Sequence, residues 1–154
     1  MNLHDRAEEW LPRGPSERWF EFVETSVRGV HHVTVPATDV IRSRDWYANV
    51  LGFDPILDEE EEDRVLEVTL SHPSGAMLRL RFAPDRARAL AGFKVVTLSI
   101  GDEHELESWC EWLDSLEVEH TPIQPAHIGW AVTLEDPDGI GVGLQTSVTV
   151  SAEG

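Results

Sequence analysis

Cysteine is almost absent from this 154-residue chain, in which Cys110 is the only one. A single cysteine excludes an intramolecular disulfide and any cysteine cluster that could bind zinc. Long apolar runs are also missing, and the first ten residues are charged and lack the apolar stretch of a signal peptide. We therefore expect a cytoplasmic protein that does not associate with membranes.

Basic residues are scarce: Lys and Arg total 12 against 29 Asp and Glu, so the formal net charge is −17. This charge repels nucleic acid and anionic membranes, and it favours cationic ligands. An alternative is that the acidity only keeps the protein soluble. Hydrophobic residues make up 41% of the chain, which is enough to bury a core. The length suits one domain, or two small modules that share a core.

The chain contains an internal repeat at an offset of 63 or 64 residues. The Val-Thr pair at 33–34 returns at 96–97, and the segment 68–75 returns in similar form at 132–139. A repeat of this length decides the architecture. We predict an N-terminal extension (1–28), a first module (29–82), a linker (83–92), a second module (93–147) and a C-terminal tail (148–154).

Each copy has the pattern of a strand, a helix and three further strands. In the first copy Val33, Val35 and Ala37 alternate onto one face of a strand, and the following helix ends at Gly52. The acidic run 58–63 is expected to be a turn, and 120–124 an edge strand. The predicted fold is α+β: two tandem βαβββ modules form a cup-shaped, eight-stranded mixed sheet with helices on the outer face.

Several short motifs stand at fixed places in this pattern. They are a His-Val pair at 32–33, Asp39, Ser43, an aromatic pair at 46–47, Leu-Gly-Phe at 51–53 and Asp-Pro-Asp-Gly at 136–139. With these motifs the sequence, over residues 29–147, resembles the vicinal oxygen chelate superfamily. That superfamily includes glyoxalase I, extradiol dioxygenases, fosfomycin-resistance proteins and bleomycin-resistance proteins.

The resemblance implies four metal-ligand positions, which in this chain hold His32, Arg79, Val95 and Gly143. Valine and glycine side chains have no donor atom, and arginine is a permanent cation that repels a divalent ion. A catalytic metal site needs about three protein ligands. We therefore expect no metal cofactor, and we expect the small residues at 95 and 143 to leave room for an organic ligand.

The cup face opposite the helices is the predicted ligand-binding site. Its lining comprises His32, Thr34, Glu67, Thr69, Arg79, Val95, Thr97, Ser99, Gly143 and Gln145. Two of these have an ordinary structural alternative, since His32 could bond to Glu67 or Thr34, and Arg79 could form an ion pair with Glu67. The helical tryptophans 46, 109 and 112, together with Trp130, are expected in the core, and Cys110 is expected to be an unreactive packed thiol.

The favoured function is metal-independent binding or sequestration of a small cationic or aromatic molecule. Bleomycin-resistance proteins are the nearest precedent that the resemblance implies. We also expect a homodimer. One alternative is a glyoxalase-like lyase or isomerase, or a dioxygenase, that uses a non-standard metal site or no metal. Another is a degenerate copy that serves as a subunit or interaction module. The superfamily fold hosts several chemistries and pure binders, so the fold alone does not choose among them.

Overall fold

The computed structural model describes residues 25–147. The predicted C-terminal tail and all but the last residues of the predicted N-terminal extension lie outside this range. The chain divides into two compact units, residues 1–31 and residues 32–154. Residues 25–31 of the first unit form no helix or strand, and every element below belongs to the second unit.

The second unit contains eight strands and three helices over its described residues, which confirms the α+β class and the two tandem βαβββ modules. The first module has β1 (Val33–Ala37), α1 (Val40–Leu51), β2 (Asp54–Glu61), β3 (Arg64–Ser71) and β4 (Met77–Phe82). The short helix α2 (Pro84–Ala89) lies in the predicted linker. The second module has β5 (Lys94–Ile100), α3 (Glu103–Ser115), β6 (Gln124–Pro125), β7 (Trp130–Glu135) and β8 (Gly141–Thr146).

The strands form two mixed sheets of four, in the orders β1-β4-β3-β2 and β5-β8-β7-β6. In each sheet the first strand of the module pairs in parallel with the last, and the remaining pairs are antiparallel. Across residues 32–147 no ladder joins the two sheets. The eight predicted strands are therefore present as two hydrogen-bonded sheets rather than as one continuous sheet.

Both long helices begin after an aspartate that caps the first turn. The carboxylate of Asp39 accepts a hydrogen bond from the Arg42 N–H at 3.1 Å, and that of Asp102 accepts from the Glu105 N–H at 2.8 Å. Helix α1 ends at Gly52, whose φ of 80° is the left-handed conformation that glycine adopts without strain. These local signals place each helix between the first and second strands of its module.

The core lies between the helices and the strand faces that the alternation predicts. Residues 35 and 37 of β1 and residues 78 and 80 of β4 are buried, as are the alternating apolar residues of β3, β7 and β8. The helices contribute Tyr47, Leu106 and Leu113, all fully buried. One contiguous cluster includes side chains from both modules. A shared core explains how two modules that are each too small to fold alone are stable together.

The two edge strands differ from the sequence-based expectation. The run 58–63 is mostly strand, because β2 continues to Glu61 and only Glu62 and Asp63, with φ of 52° and 63°, make the turn. Every residue of β2 is exposed, so its charges remain solvated and protect the open edge of the sheet. The strand expected over 120–124 is reduced to β6, while His120 forms a single isolated bridge to Leu134.

Two of the four tryptophans expected in the core are partly exposed. Trp112 is 45% exposed and Trp130 is 39% exposed, so the core prediction is wrong for both. The indole N–H of Trp112 donates to the Val50 carbonyl at 2.9 Å, which keeps that ring at the boundary where its polar group has a partner. Cys110 is half-buried, and burial raises the pKa of its thiol, with Asp114 and Glu107 adding to the effect.

A buried polar contact joins the two modules. The Tyr47 hydroxyl of α1 donates to Asp136 Oδ2 at 2.9 Å, and the Thr38 hydroxyl donates to Asp138 Oδ1 at 2.6 Å. Asp136 Oδ1 also accepts from the N–H groups of Asp138 and Ile140, at 2.8 and 3.1 Å. The turn between β7 and β8 thereby binds the start of α1.

No helix among residues 25–147 is both long and apolar enough to cross a membrane.

Candidate functional site

Four predicted site residues lie together on the first sheet, on the face opposite α1. In the strand register Arg79 of β4 lies opposite Thr34 of β1 on one side and Thr69 of β3 on the other. Glu67 is two residues from Thr69 on the same strand, and so points to the same face. Thr34 is exposed, whereas Thr69 is 8% exposed. The alternation of β1, β3 and β4 correctly predicts that these residues share a face.

Arg79 is the centre of this first group. Its Nε lies 3.7 Å from Glu67 Oε1 and 3.4 Å from the Thr69 hydroxyl, and its Nη2 lies 3.5 Å from Glu59 Oε1. The ion pair with Glu67 is the structural alternative that the sequence left open, and Glu59 is a second partner that the sequence-based reasoning missed. The guanidinium is about balanced by these carboxylates, and long, partly exposed ion pairs of this kind contribute little stability.

The remaining predicted residues fall into a second group and two separate positions. On the second sheet Thr97 lies opposite Gly143, and Ser99 lies opposite Gln145. The structure places Val95 half-buried against the core, and His32 half-buried immediately before β1. The ten predicted residues thus form one group of four on each sheet, and Val95 and His32 lie outside these groups.

A shallow cavity of about 370 Å³ opens beside the second group. The Gln145 amide N–H donates to the Ile128 carbonyl at 2.8 Å, which fixes one polar side chain at its wall. The Ile128 side chain is 49% exposed and supplies apolar surface. We call this cavity the β5–β8 cleft; its lining comprises Thr97, Leu98, Ser99, Ile128, Gln145, Thr146 and Ser147.

The space above Gly143 is occupied, although the sequence suggests that it is open. An ideal Cβ on Gly143 would lie 2.9 Å from both Lys94 Cδ and the Thr97 hydroxyl oxygen. Lys94 reaches this position because the pairing of β5 with β8 shifts register between Lys94 and Val96. In an unbroken strand Lys94 would share the core-facing side of Val96, so the irregularity explains why the sequence-based reasoning missed this lysine.

The donor groups at the positions implied for a metal do not fit a divalent ion. Arg79 is a cation tied to two carboxylates, and the stem of a second cation, Lys94, crosses Gly143. Within residues 25–147 no group of three His, Cys, Asp or Glu side chains is arranged to hold a metal ion. A catalytic metal needs about three such ligands and an open position, and this set lacks them.

A separate groove of about 550 Å³ lies where Trp46 of α1 faces the second module, lined also by residues 117–121 and 133–136. None of the ten predicted site residues lines it. In its wall His120 Nε2 is 2.8 Å from Asp114 Oδ1 and His120 Nδ1 is 2.6 Å from the Thr121 carbonyl. Burial lowers the pKa of His120, but the hydrogen bonds to Thr121 and Asp114 outweigh this and raise the pKa.

Comparison with known proteins supports this description of the fold. Residues 29–144 match the family model described as Glyoxalase/Bleomycin resistance protein/Dioxygenase superfamily. No curated protein sequence matches the chain.

Among solved structures the chain is similar to a glyoxylase/bleomycin resistance protein/dioxygenase domain from Frankia sp. EAN1pec, with 22% identity and a TM-score of 0.64 over 79% of this chain and 99% of that one. It is similar to TnmS3, an antibiotic binding protein from Streptomyces sp. CB03234, with 21% identity and a TM-score of 0.66 over 80% and 98%. It is also similar to lactoylglutathione lyase from Agrobacterium tumefaciens, with 17% identity and a TM-score of 0.64 over 79% and 96%.

Proposed function

The chain belongs to the Glyoxalase/Bleomycin resistance protein/Dioxygenase superfamily, and on that premise we propose that it binds and sequesters a small organic molecule without a metal ion. The proposed site is the β5–β8 cleft, where the side chains of Thr97, Ser99 and Gln145 adjoin the apolar side chain of Ile128. A cavity with an apolar wall and a few polar groups suits a small organic ligand.

The observation that carries this proposal is the presence of cations where the resemblance implies metal ligands. Arg79 occupies one such position, and Lys94 covers Gly143 at another. Like charges repel at short range, and neither ammonium nor guanidinium has a lone pair to coordinate a metal. These positions therefore favour an organic ligand over a divalent ion.

The similar structures have different functions, so the choice rests on the residues of the site. TnmS3 is an antibiotic binding protein and the Agrobacterium protein is a lyase, and identities of 21% and 17% support only a shared fold. For the lyase or isomerase alternative, Glu67 is the acid–base group on the first sheet face. In the structure Glu67 instead forms an ion pair with Arg79 at 3.7 Å, which is a structural role.

Two measurements on the purified full chain test the proposal. The first is metal content by mass spectrometry after incubation with Mn²⁺, Ni²⁺ and Zn²⁺ followed by dialysis, and we expect far less than one ion per chain. The second is fluorescence titration with N-phenyl-naphthylamine, a neutral aromatic probe, for which we expect saturable binding. One tightly held ion per chain would favour the enzyme alternative and overturn this proposal.

A matched pair of variants locates the probe. Ser99→Trp fills the β5–β8 cleft from an exposed strand position. We expect a loss of probe affinity of about tenfold or more, because the indole ring would occupy most of the space in a small site. Asn49→Trp adds the same ring to an exposed position on α1 and should bind the probe as the parent does. Equal binding by both variants would show that the cleft is not the site.

We also infer a homodimer, since modules of this kind commonly pair across chains in the family that the sequence resembles. Analytical ultracentrifugation at micromolar concentration tests this inference. A single species with the mass of one chain would contradict it, and would leave the binding proposal to be judged on the titrations alone.

A further inference from the structure

Lys94 is the only lysine in the chain, which otherwise carries its positive charge on arginine. It lies at the start of β5, five residues before Ser99, and its stem contacts the position of Gly143. Thr97 contacts the same position and also lines the β5–β8 cleft. The lysine stem and the cleft therefore share a wall.

Two glycines of β8 create the space that this lysine occupies. An ideal Cβ on Gly141 would lie 2.9 Å from Lys94 Cα, so only glycine allows the two backbones to approach this closely. An ideal Cβ on Gly143 would lie 2.9 Å from Lys94 Cδ. The first glycine positions the lysine backbone and the second admits its stem, so the path of the side chain is set by β8.

The surroundings of the Lys94 charge differ from those of the Arg79 charge. Among the described residues no Asp or Glu forms an ion pair with it, whereas Arg79 on the first sheet has both Glu59 and Glu67 within ion-pair distance. The lining of the β5–β8 cleft contains hydroxyl, amide and apolar groups but no carboxylate. Over the described residues the surface beside Lys94 and the cleft is therefore positively charged, although the net charge of the chain is −17.

We propose that Lys94 determines the specificity of the proposed binding site, which takes an organic anion whose apolar body lies in the β5–β8 cleft and whose acidic group meets the Lys94 ammonium. The hydroxyls of Thr97 and Ser99 supply further donors on the same face. This inference rests on the proposed function, and it replaces the cationic ligand expected from the net charge with an anionic one. An overall negative charge slows the arrival of anions, but the charge at the site decides which ligand is held.

The test compares two probes that differ by one acidic group: anilinonaphthalene sulfonate and its neutral relative N-phenyl-naphthylamine. We expect the parent protein to bind the sulfonate about tenfold more tightly, since a charge-assisted hydrogen bond is worth about that factor. Lys94→Met keeps the stem and should abolish this preference. Lys94→Arg should retain most of it, and Arg86→Met, which removes an exposed charge from α2, should leave it unchanged.

The single lysine permits a second measurement without any variant. Acetylation of the folded protein, followed by mass spectrometry, reports Lys94 and the terminal amine separately. We expect the sulfonate to slow acetylation of Lys94 several-fold relative to the terminal amine, and the neutral probe to give less protection.

The outcomes separate this inference from the proposed function. If Ser99→Trp abolishes binding of both probes while Lys94→Met behaves like Arg86→Met, the cleft is the site and the role of Lys94 is refuted. If Ser99→Trp changes the binding of neither probe, both the proposed function and the role of Lys94 are refuted. Near-UV circular dichroism of each variant confirms that probe binding reports a folded protein and not an unfolded one.

Discussion

Removing one hydroxyl from the core tests how the two modules are held together. Tyr47 is fully buried on α1, and its hydroxyl donates to Asp136 Oδ2 of the second module at 2.9 Å. Tyr47→Phe preserves the edge-on ring contacts with Trp46 and Phe53, whose centroids lie 4.9 and 6.3 Å away. The substitution therefore removes a hydrogen bond and leaves the packing in place.

The expected loss of unfolding free energy is about 2 kcal/mol, because a buried carboxylate loses one donor. For a domain of this size that corresponds to a Tm lower by about 4–8 °C. Asp136 Oδ1 keeps the N–H groups of Asp138 and Ile140, so the loss is partial. The raised pKa of the Tyr47 phenol, caused mainly by burial and then by Asp136, keeps it a neutral donor at working pH.

The cost of Tyr47→Phe should also depend on pH. Burial raises the pKa of Asp136 above its ordinary value of 3.8, although the N–H of Asp138 and the Tyr47 hydroxyl lower it. The folded state therefore holds this proton longer than the unfolded state as pH rises, and stability falls over that window. Without the Tyr47 donor the pKa of Asp136 rises further. Protonation of Asp136 then removes the cost of burying an ionised carboxylate that has lost a donor, so the loss of stability caused by the substitution becomes smaller as pH falls.

Urea unfolding of the parent and Tyr47→Phe from about pH 7 to about pH 3 measures this dependence, since that range includes the ordinary carboxyl pKa of 3.8. Asp136→Asn and the double variant complete a cycle that isolates the coupling between the two groups. Ser115→Ala is the control, because it removes an exposed hydroxyl that donates to the Trp112 carbonyl at 2.7 Å. A cost for Tyr47→Phe no larger than that of Ser115→Ala, or one that is constant with pH, would refute the reasoning.

Three further substitutions test local features. The folded pKa of His120 is raised, so its pairing with Asp114 stabilises the fold below about pH 6.5, and this stabilisation is lost as pH rises through the folded pKa. Asp114→Asn should therefore flatten the stability–pH curve, and an unchanged curve would contradict this. Gly129 has a φ of 73° and its Cβ would collide with the β8 backbone, so Gly129→Ala should lower Tm by more than about 4 °C in a thermal melt. Gly143→Ala should displace the Lys94 stem and reduce the sulfonate preference to about half, and full preference would show that the stem lies elsewhere.

Strands that bury one face could be predicted from the sequence, and strands that bury neither could not. Alternation locates β1, β3, β4, β7 and β8 because each packs one side against a helix and the core. β2 is exposed along its whole length, so no burial pattern marks where it ends. β6 is limited to two residues between loop segments, and a strand of that length leaves no periodic signal.

The candidate site divides in the same way. The alternation of side chains along regular strands predicts that Thr69 and Arg79 share a face. In the structure Arg79 Nε lies 3.4 Å from the Thr69 hydroxyl oxygen. Glu59 joins Arg79 only because the β2–β3 hairpin is longer than the charged run suggests. Lys94 escapes a parity argument altogether, since one irregular step in the β5–β8 pairing moves it to the opposite face.

The two modules place a cation at equivalent positions in different ways. In the first module the position is Arg79 itself, and the long β2–β3 hairpin brings Glu59 and Glu67 to balance it. In the second the equivalent residue is Gly143, and the cation arrives from the neighbouring strand as Lys94. β6 is too short to bring a carboxylate as β2 does. Among the described residues Lys94 therefore has no carboxylate partner, and we expect an acidic ligand group to bind beside it rather than beside Arg79.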